Sequence, residues 1–427
     1  MMSLANHGLT ARRTDYLARH HQPPWSVTAP RPVIAAVRGR SSRLRVVADA
    51  SHTTQASSKI PGTNKVVCIG EALFDLIADQ KGLPRDKVKS WTPHAGGAPC
   101  NVATAAARLG LDVTFVTALG DDEWGEKLLA VCRDRGVQLH AVQRPAGRPT
   151  RDVYVVRDST GDREFAGFGL PGTGEGYADA FIDPEGLPLG ELRPGAVLVT
   201  GTLGLSYPVT AAALRRAVAA AREAGATVLI DVNWRPVFWN DLPAAKKTIL
   251  EYLQSADVIK LSDADLEALC DIKLALALIN PCAVAERFPN ARGVLVTAGP
   301  EGASYCFRSP SKGEHSGVVP AFEVGVTDTT GAGDAFTAGF IVKMAQAGGL
   351  GALSANPQLL KEAVVFASAA GAKLDSFAKL ETGHTHRRTY PSIITHRNPP
   401  SPTNIPSSCP RRKQSHNLHR CVHCLFN

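Results

Sequence analysis

Within nine residues, Asp328-Thr329-Thr330-Gly331-Ala332-Gly333-Asp334-Ala335-Phe336 brings together two glycines, two threonine hydroxyls and two carboxylates. The alternating apolar run 322–326 predicts a strand before this stretch, and the small-residue run 334–347 predicts a helix after it. Glycines at a strand-to-helix turn let backbone N–H groups converge on an anion, and the helix N-terminus adds about half a positive charge there. An aspartate inside such a nest would compete with a bound phosphate. Asp334 makes chemical sense when it faces the other reactant, an alcohol whose proton leaves as the phosphate arrives. Taken alone, the same carboxylate reads better as a first-turn residue favoured by the helix dipole.

A second loop changes that balance. Ala95-Gly96-Gly97-Ala98-Pro99-Cys100-Asn101-Val102-Ala103 is also glycine-rich and also feeds a helix, with an asparagine amide in the first turns that needs partners. Together the two loops resemble the two signatures of the PfkB family of carbohydrate kinases, which have the ribokinase-like fold. Gly70-Glu71-Ala72-Leu73-Phe74-Asp75, Asp231-Val232-Asn233 and Thr297-Ala298-Gly299-Pro300-Glu301-Gly302 match that family in order and spacing, from about Lys65 to about Gly371. Within the family the chain is similar to plant plastid fructokinase-like members. The resemblance implies an α/β fold: a mostly parallel sheet sandwiched by helices, with a small β lid.

Phosphoryl transfer to a sugar needs an in-line hydroxyl, a base for its proton, an anion cradle and Mg²⁺. By the resemblance, Asp334 is the base, and Gly331, Ala332 and Gly333 form the anion hole. Asp75, Gly96, Gly97 and Asn101 would hold sugar hydroxyls; Asp75 also reads as a strand-end cap. Arg163 would reach the sugar or the phosphate, and a solvated hairpin arginine is an equal reading. Asn233, Ser262, Asp265, Thr297, Gly299, Gly302 and Ser368 fall on the nucleotide side. Asp265 stands where the family has a glutamate that orders Mg²⁺ through waters, and Ser368 where an asparagine is common. Ser262 and Asp263 suit a helix N-cap in either case. Asp328 and Thr330 resemble half of a K⁺ site. The family completes that site, and walls the adenine, with a basic-Gly-Ala turn, a strand and a last helix, where this chain has a Pro-, Ser-, His- and Arg-rich stretch. The implied ligands are a sugar, ATP, Mg²⁺ and K⁺, and the implied reaction is fructose to fructose 6-phosphate. Two rivals remain. One is another ribokinase-family sugar or nucleoside kinase. The other is a catalytically weak fructokinase-like scaffold of the plastid transcription machinery. The intact Gly331-Ala332-Gly333-Asp334 favours an enzyme; Asp265, Ser368 and the altered C-terminal stretch favour the scaffold.

Other nucleotide motifs are excluded. No G-x-x-x-x-G-K-[ST] occurs, and Phe336 occupies the sixth position that a G-x-G-x-x-G would require to be glycine. The formal net charge of +8 does not mark a nucleic-acid binder. Residues 1–62 and 373–427 each carry nine Lys/Arg and two Asp/Glu, so of the 47 basic and 39 acidic residues the body keeps 29 and 35. Three regions follow: 1–62, a disordered plastid transit segment; 63–372, the kinase domain; and 373–427, an atypical disordered tail. The first segment is rich in Arg, Ser, Thr and Ala, has only Asp15 and Asp49 as acids, and carries Val46-Val47-Ala48, similar to a stromal cleavage site. A disordered cytosolic extension is the alternative. No apolar run approaches the ~18 residues of a membrane span.

Strands are expected at 66–69, 114–118, 197–200, 227–231, 257–260 and 293–297, with helices at 101–109, 123–135, 208–224, 243–255 and 262–269 between them. Residues 152–156 and 163–168 read as a hairpin inserted in this alternation, a lid that in the family covers the sugar and often makes a dimer contact. Of the nine cysteines, Cys68, Cys100, Cys132, Cys270, Cys282 and Cys306 lie singly in the body and read as reduced core residues. Cys100 is set apart as a reactive candidate by its place in the sugar loop. Cys421-x-x-Cys424 with nearby histidines would need a second spaced pair to be a zinc knuckle.

Overall fold

Short β-branched runs alternate with longer Ala- and Leu-rich runs, and each run folds according to its period. The computed structural model describes residues 65–159, 163–324 and 330–377. Its strands are β1 (Lys65–Ile69), β2 (Leu73–Lys81), β3 (Trp91–Gly96), β4 (Asp112–Val116), β5 (Arg151–Arg157), β6 (Arg163–Phe168), β7 (Val197–Thr200), β8 (Thr227–Asp231), β9 (Val258–Ser262), β10 (Gly293–Thr297), β11 (Ala303–Ser309) and β12 (Gly313–Val319). Its helices are α1 (Ala98–Arg108), α2 (Glu123–Asp134), α3 (Pro208–Glu223), α4 (Leu242–Leu253), α5 (Asp263–Cys270), α6 (Leu274–Ile279), α7 (Pro281–Ala285), α8 (Ala332–Gln346), α9 (Leu350–Ser354) and α10 (Pro357–Phe377).

The main sheet has eight strands in the order β12-β11-β10-β9-β8-β7-β1-β4. From β10 to β4 every pairing is parallel; β11 and β12 add an antiparallel edge. A parallel sheet needs both faces covered, and its strands are apolar throughout for that reason. Along β1, Val66 and Cys68 enter one core and Val67 and Ile69 the other, and all four are buried. The first core holds α1, α2, α8, α9 and α10; the second holds α3 to α7. Helix α8 is buried at every position from Ala335 to Val342 and packs between α1 and α10. Burial of a side chain such as Phe340 contributes about 2–3 kcal/mol.

The lid is larger than the expected hairpin. β5 and β6 form it, with the turn residues 160–162 outside the described residues, but β2 and β3 join them in a second sheet of order β3-β2-β5-β6. β3 carries Pro93, which cannot donate to a ladder and is tolerated because β3 is an edge strand. The base of the lid is fixed by a buried ion pair, Arg151 Nη2 to Asp179 Oδ1 at 2.7 Å, packed among Phe168, Tyr177, Tyr207 and Phe238.

Three expectations need correction. Residues 321–324 form no strand; the strand of that region is β12, ending at Val319, and 325–329 lie outside the described residues. Helical structure continues past Lys373 to Phe377 in α10. Cys282 and Cys306 are joined as a disulfide between α7 and β11, while Cys68, Cys100, Cys132 and Cys270 are free thiols. Two residues on separate elements gave no sequence cue for that pairing.

Candidate active site

In a parallel sheet, ligands gather beyond the carboxyl ends of the strands. Here that edge carries Glu71 after β1, Asp231 ending β8, Ser262 ending β9 and Thr297 ending β10. The N-termini of α1 and α8 converge on the same edge. Asn101, in the first turn of α1, donates from Nδ2 to Asp334 Oδ2 at 2.8 Å, joining residues 233 positions apart. The turn before each helix depends on a glycine in a conformation that side chains avoid: Gly97 at φ 100° and Gly331 at φ 80°. A Cβ on Gly97 would also lie 2.5 Å from the Glu71 carbonyl oxygen. Helices α2, α4 and α5 are capped by Asp122, Asp241 and Ser262; at α1 the Glu71 carboxylate takes the Ala98 N–H instead, and no side-chain cap closes α8. The first-turn N–H groups around Ala332 and Gly333 are thus left without a capping side chain, as an anion cradle requires.

Burial, helped by the negative charge of Asp231, pushes the Asp334 carboxyl up to about 7 against the Asn101 hydrogen bond and the positive charges of Lys260 and Arg235. Such a group changes charge near neutral pH, the range a general base needs. Glu71 accepts from the Ala98 N–H at 3.1 Å and fixes the start of α1; burial pushes its carboxyl up to about 8. Its neighbours Asp179 and Asp334 reinforce that shift.

The remaining expected residues fall into three groups. In the lid sheet, Asp75 lies half-buried on β2, paired in register with His94 and Val153, and Gly96 stands beside it: a Cβ there would be 2.7 Å from Asp75 Oδ2. Arg163, exposed on β6, donates to the Thr330 hydroxyl, so the lid edge touches the loop that starts α8. Just after β8, Asn233 adopts a left-handed backbone at φ 48°. Thr297 donates weakly to the Leu261 carbonyl at 3.4 Å, and Gly299 opens a turn with free space where a Cβ would be. Ser368 Oγ on α10 is buried with no partner among the described residues. The third group is engaged elsewhere. Asp265 and Ser262 form a capping box, Oδ2 accepting from Ser262 N–H at 2.7 Å and Ser262 Oγ from Asp265 N–H at 3.1 Å. Asp265 Oδ1 accepts from Trp234 N–H at 2.7 Å, so both oxygens already serve the backbone. Gly302 leaves room for β12: a Cβ there would meet the Val319 carbonyl oxygen at 2.1 Å. Asp328 lies outside the described residues.

Cys100 is not a poised thiolate. Its sulfur lies 3.6 Å from that of Cys132, and this contact together with burial holds the thiol well above its ordinary range. Lys260 escaped the sequence reading, although a lysine inside the apolar strand Val258-Ile259-Lys260-Leu261 is itself a signal.

This sheet, its lid and the two glycine-led helix starts are those of a ribokinase-like sugar kinase. Residues 63–374 match the pfkB family of carbohydrate kinases, and the chain belongs to that family. A fructokinase-2 of Solanum habrochaites is 34% identical over 307 residues, covering 72% of this chain and 89% of that protein. A protein of Arabidopsis thaliana described as probable fructokinase-6, chloroplastic, is 31% identical, covering 82% and 88%. Among solved structures, fructokinase with bound ATP from Xylella fastidiosa is similar at a TM-score of 0.63 and 30% identity, covering 74% of this chain and 92% of that one. Aminoimidazole riboside kinase from Salmonella enterica, complexed with aminoimidazole riboside and an ATP analogue, gives 0.61 and 28%, covering 74% and 94%. The protein is therefore a phosphotransferase acting on a sugar hydroxyl. Among the described residues no helix is long and apolar enough to cross a membrane.

Proposed function

We propose that the chain transfers the γ-phosphoryl group of ATP to the 6-hydroxyl of fructose, with Asp334 as the base. The observation that carries this reading is the Asn101–Asp334 hydrogen bond, which brings the two glycine loops to one point beside the uncapped start of α8. Asn101 holds Oδ2 and leaves Oδ1 to take the proton of the attacking hydroxyl. The sugar hydroxyl oxygen bonds to phosphorus as the bond from phosphorus to ADP breaks, and N–H groups of Gly331, Ala332 and Gly333 stabilise the charge on the transferring group. Asp75, Gly96 and Gly97 hold the sugar's other hydroxyls, and Arg163 closes the lid edge over them. Fructose is favoured over ribose and nucleosides by the fructokinase relatives, while the aminoimidazole riboside kinase structure keeps a riboside acceptor as the alternative.

On the nucleotide side, Asn233, Ser262, Thr297, Gly299 and Ser368 would line the ATP path, and the unpartnered Ser368 hydroxyl suits a ligand contact. Mg²⁺, when bound, would neutralise phosphate charge. Asp265 and Asp231 are already engaged, so the ion would be held through phosphates and waters rather than by their oxygens. Asp328 and Thr330 would contribute to a K⁺ site. The engagement of Asp265 also favours the second reading, a weak kinase retained as a plastid scaffold. The plastid address, carried by residues 1–62 ahead of a 63–372 kinase domain and a 373–427 tail, is supported by the chloroplastic relative. The lid, with Phe165 exposed on β6, suits a homodimer contact. Import of a reporter fused to residues 1–62, K⁺ titration of the KM for ATP and sedimentation of the protein test these points. ADP release by the full chain with Mg²⁺ and a panel of fructose, ribose, nucleosides and inositols tests the reaction itself. Equal turnover on all acceptors, or preference for a nucleoside, would overturn the fructose assignment.

A further inference from the structure

Lys260 sits at the centre of the site, yet neither glycine loop contains it. It lies in the middle of β9 next to Asp231, the last residue of β8, directly paired in register. Its ammonium lies 3.0 Å from Asp231 Oδ1, and both side chains are buried. The other oxygen of Asp231 accepts from the Thr337 hydroxyl at 2.8 Å, and that hydroxyl lies 3.1 Å from the Gly333 carbonyl oxygen. A Cβ on Gly333 would come within 2.8 Å of Lys260 Nζ. The second glycine of the anion hole is therefore backed from below by an ammonium, and the first turns of α8 are tied to the same carboxylate that holds it.

We propose that Lys260 and Asp231 form a positioning pair for the transfer reaction: Lys260 is the fixed positive floor beneath the anion hole and the counter-charge to Asp334, and Asp231 holds both it and α8 in register. The proposal rests on the reading of Asp334 as the base. A buried lysine is retained as a cation only where carboxylates surround it. Burial alone would discharge Lys260, but Asp231, Asp265 and Asp334 keep its pKa above the ordinary range. The groups acting on Asp334 are Asp231 and Arg235 from β8 and the loop after it, Lys260 from β9, Asn101 from α1 and Glu71 from the loop after β1. Within that set the two members of the pair pull in opposite directions: Asp231 favours the protonated base, Lys260 the ionised one.

The experiment uses the full chain carrying Asp231→Asn, Lys260→Gln, or Asp231→Asn with Lys260→Met. Two readouts are taken: the acid limb of kcat/KM for the sugar, and the ¹³C carboxyl titration of Asp334, which needs no turnover. Lys260→Gln should move both to higher pH and Asp231→Asn to lower pH, each by on the order of one unit. Should Lys260→Gln not fold, the double variant compared with Asp231→Asn alone removes the ammonium without stranding a carboxylate, and the limb should move up. Shifts in the same direction, or none, would overturn the proposal. An Asp334→Asn protein that stays active would instead remove Asp334 as base, and the carboxyl titration would still report on the pair.

Discussion

Replacing Asp334 by asparagine should destroy catalysis and stabilise the fold, and the size of the second effect can be worked out. The carboxyl is raised from its ordinary 3.8 to about 7 in the folded protein. A carboxyl with a raised folded-state pKa loses nothing below its unfolded pKa, where it is protonated in both states. As pH rises through the interval from 3.8 to about 7, the unfolded chain ionises first and the native state is progressively disfavoured; above 7 the cost is complete. About three pKa units at about 1.4 kcal/mol each give an upper bound near 4 kcal/mol. Asp334 is only half-buried, so contact with solvent reduces the expected gain to about 1–2 kcal/mol. Asparagine keeps the shape and an oxygen for the Asn101 amide. Paired urea denaturation of Asp334→Asn and the parent protein between pH 5 and 8.5 should show a stability gap that widens with pH and levels off above neutrality. A gap that is constant with pH, or that favours the parent at pH 8, would refute the electrostatic reasoning.

Asn101→Ala removes a hydrogen bond that favours the ionised base, so the acid limb of kcat/KM should move to higher pH, and kcat/KM at pH 7 should fall about ten- to hundredfold, as for about 1–3 kcal/mol. An unchanged profile would mean that the contact does not survive in the substrate complex. Asp265→Ala breaks the capping box and leaves the Trp234 N–H unpartnered, so thermal unfolding should report a loss of about 1–3 kcal/mol. If the variant is as stable as the parent yet loses Mg²⁺ dependence, Asp265 is a metal-side residue after all.

Much of the fold was readable because its signals are local. The strands at 66–69, 197–200, 227–231 and 293–297 are apolar, bounded by turns and buried on both faces, and the structure has β1, β7, β8 and β10 there within a residue. Among the strands that were missed, β3 and β12 are largely exposed and β2 is exposed at its end, so polar positions and Pro93 weaken the period-two signal, while β11 is buried almost throughout but carries Ser304, Arg308 and Ser309 within it. At the site, the two glycine loops were visible as composition, but their meeting was not, since the Asn101–Asp334 contact spans 233 residues. Asp265 illustrates the opposite limit. The family pattern marked it for metal chemistry, while its neighbourhood, which no spacing reveals, engages it with Ser262 and Trp234. Lys260 needed the register of β8 and β9 before its partner could be named.

The central claim is that one carboxylate at the start of α8 accepts the proton of a sugar hydroxyl. Single-turnover conversion of fructose to fructose 6-phosphate, followed with saturating MgATP in the parent protein and in Asp334→Asn, tests it most directly. Product should form in the parent with an acid limb near pH 7, and the variant should bind ATP yet form product at least about a thousandfold more slowly, the combined scale of base and alignment losses. A variant that phosphorylates fructose within a few-fold of the parent would contradict the account.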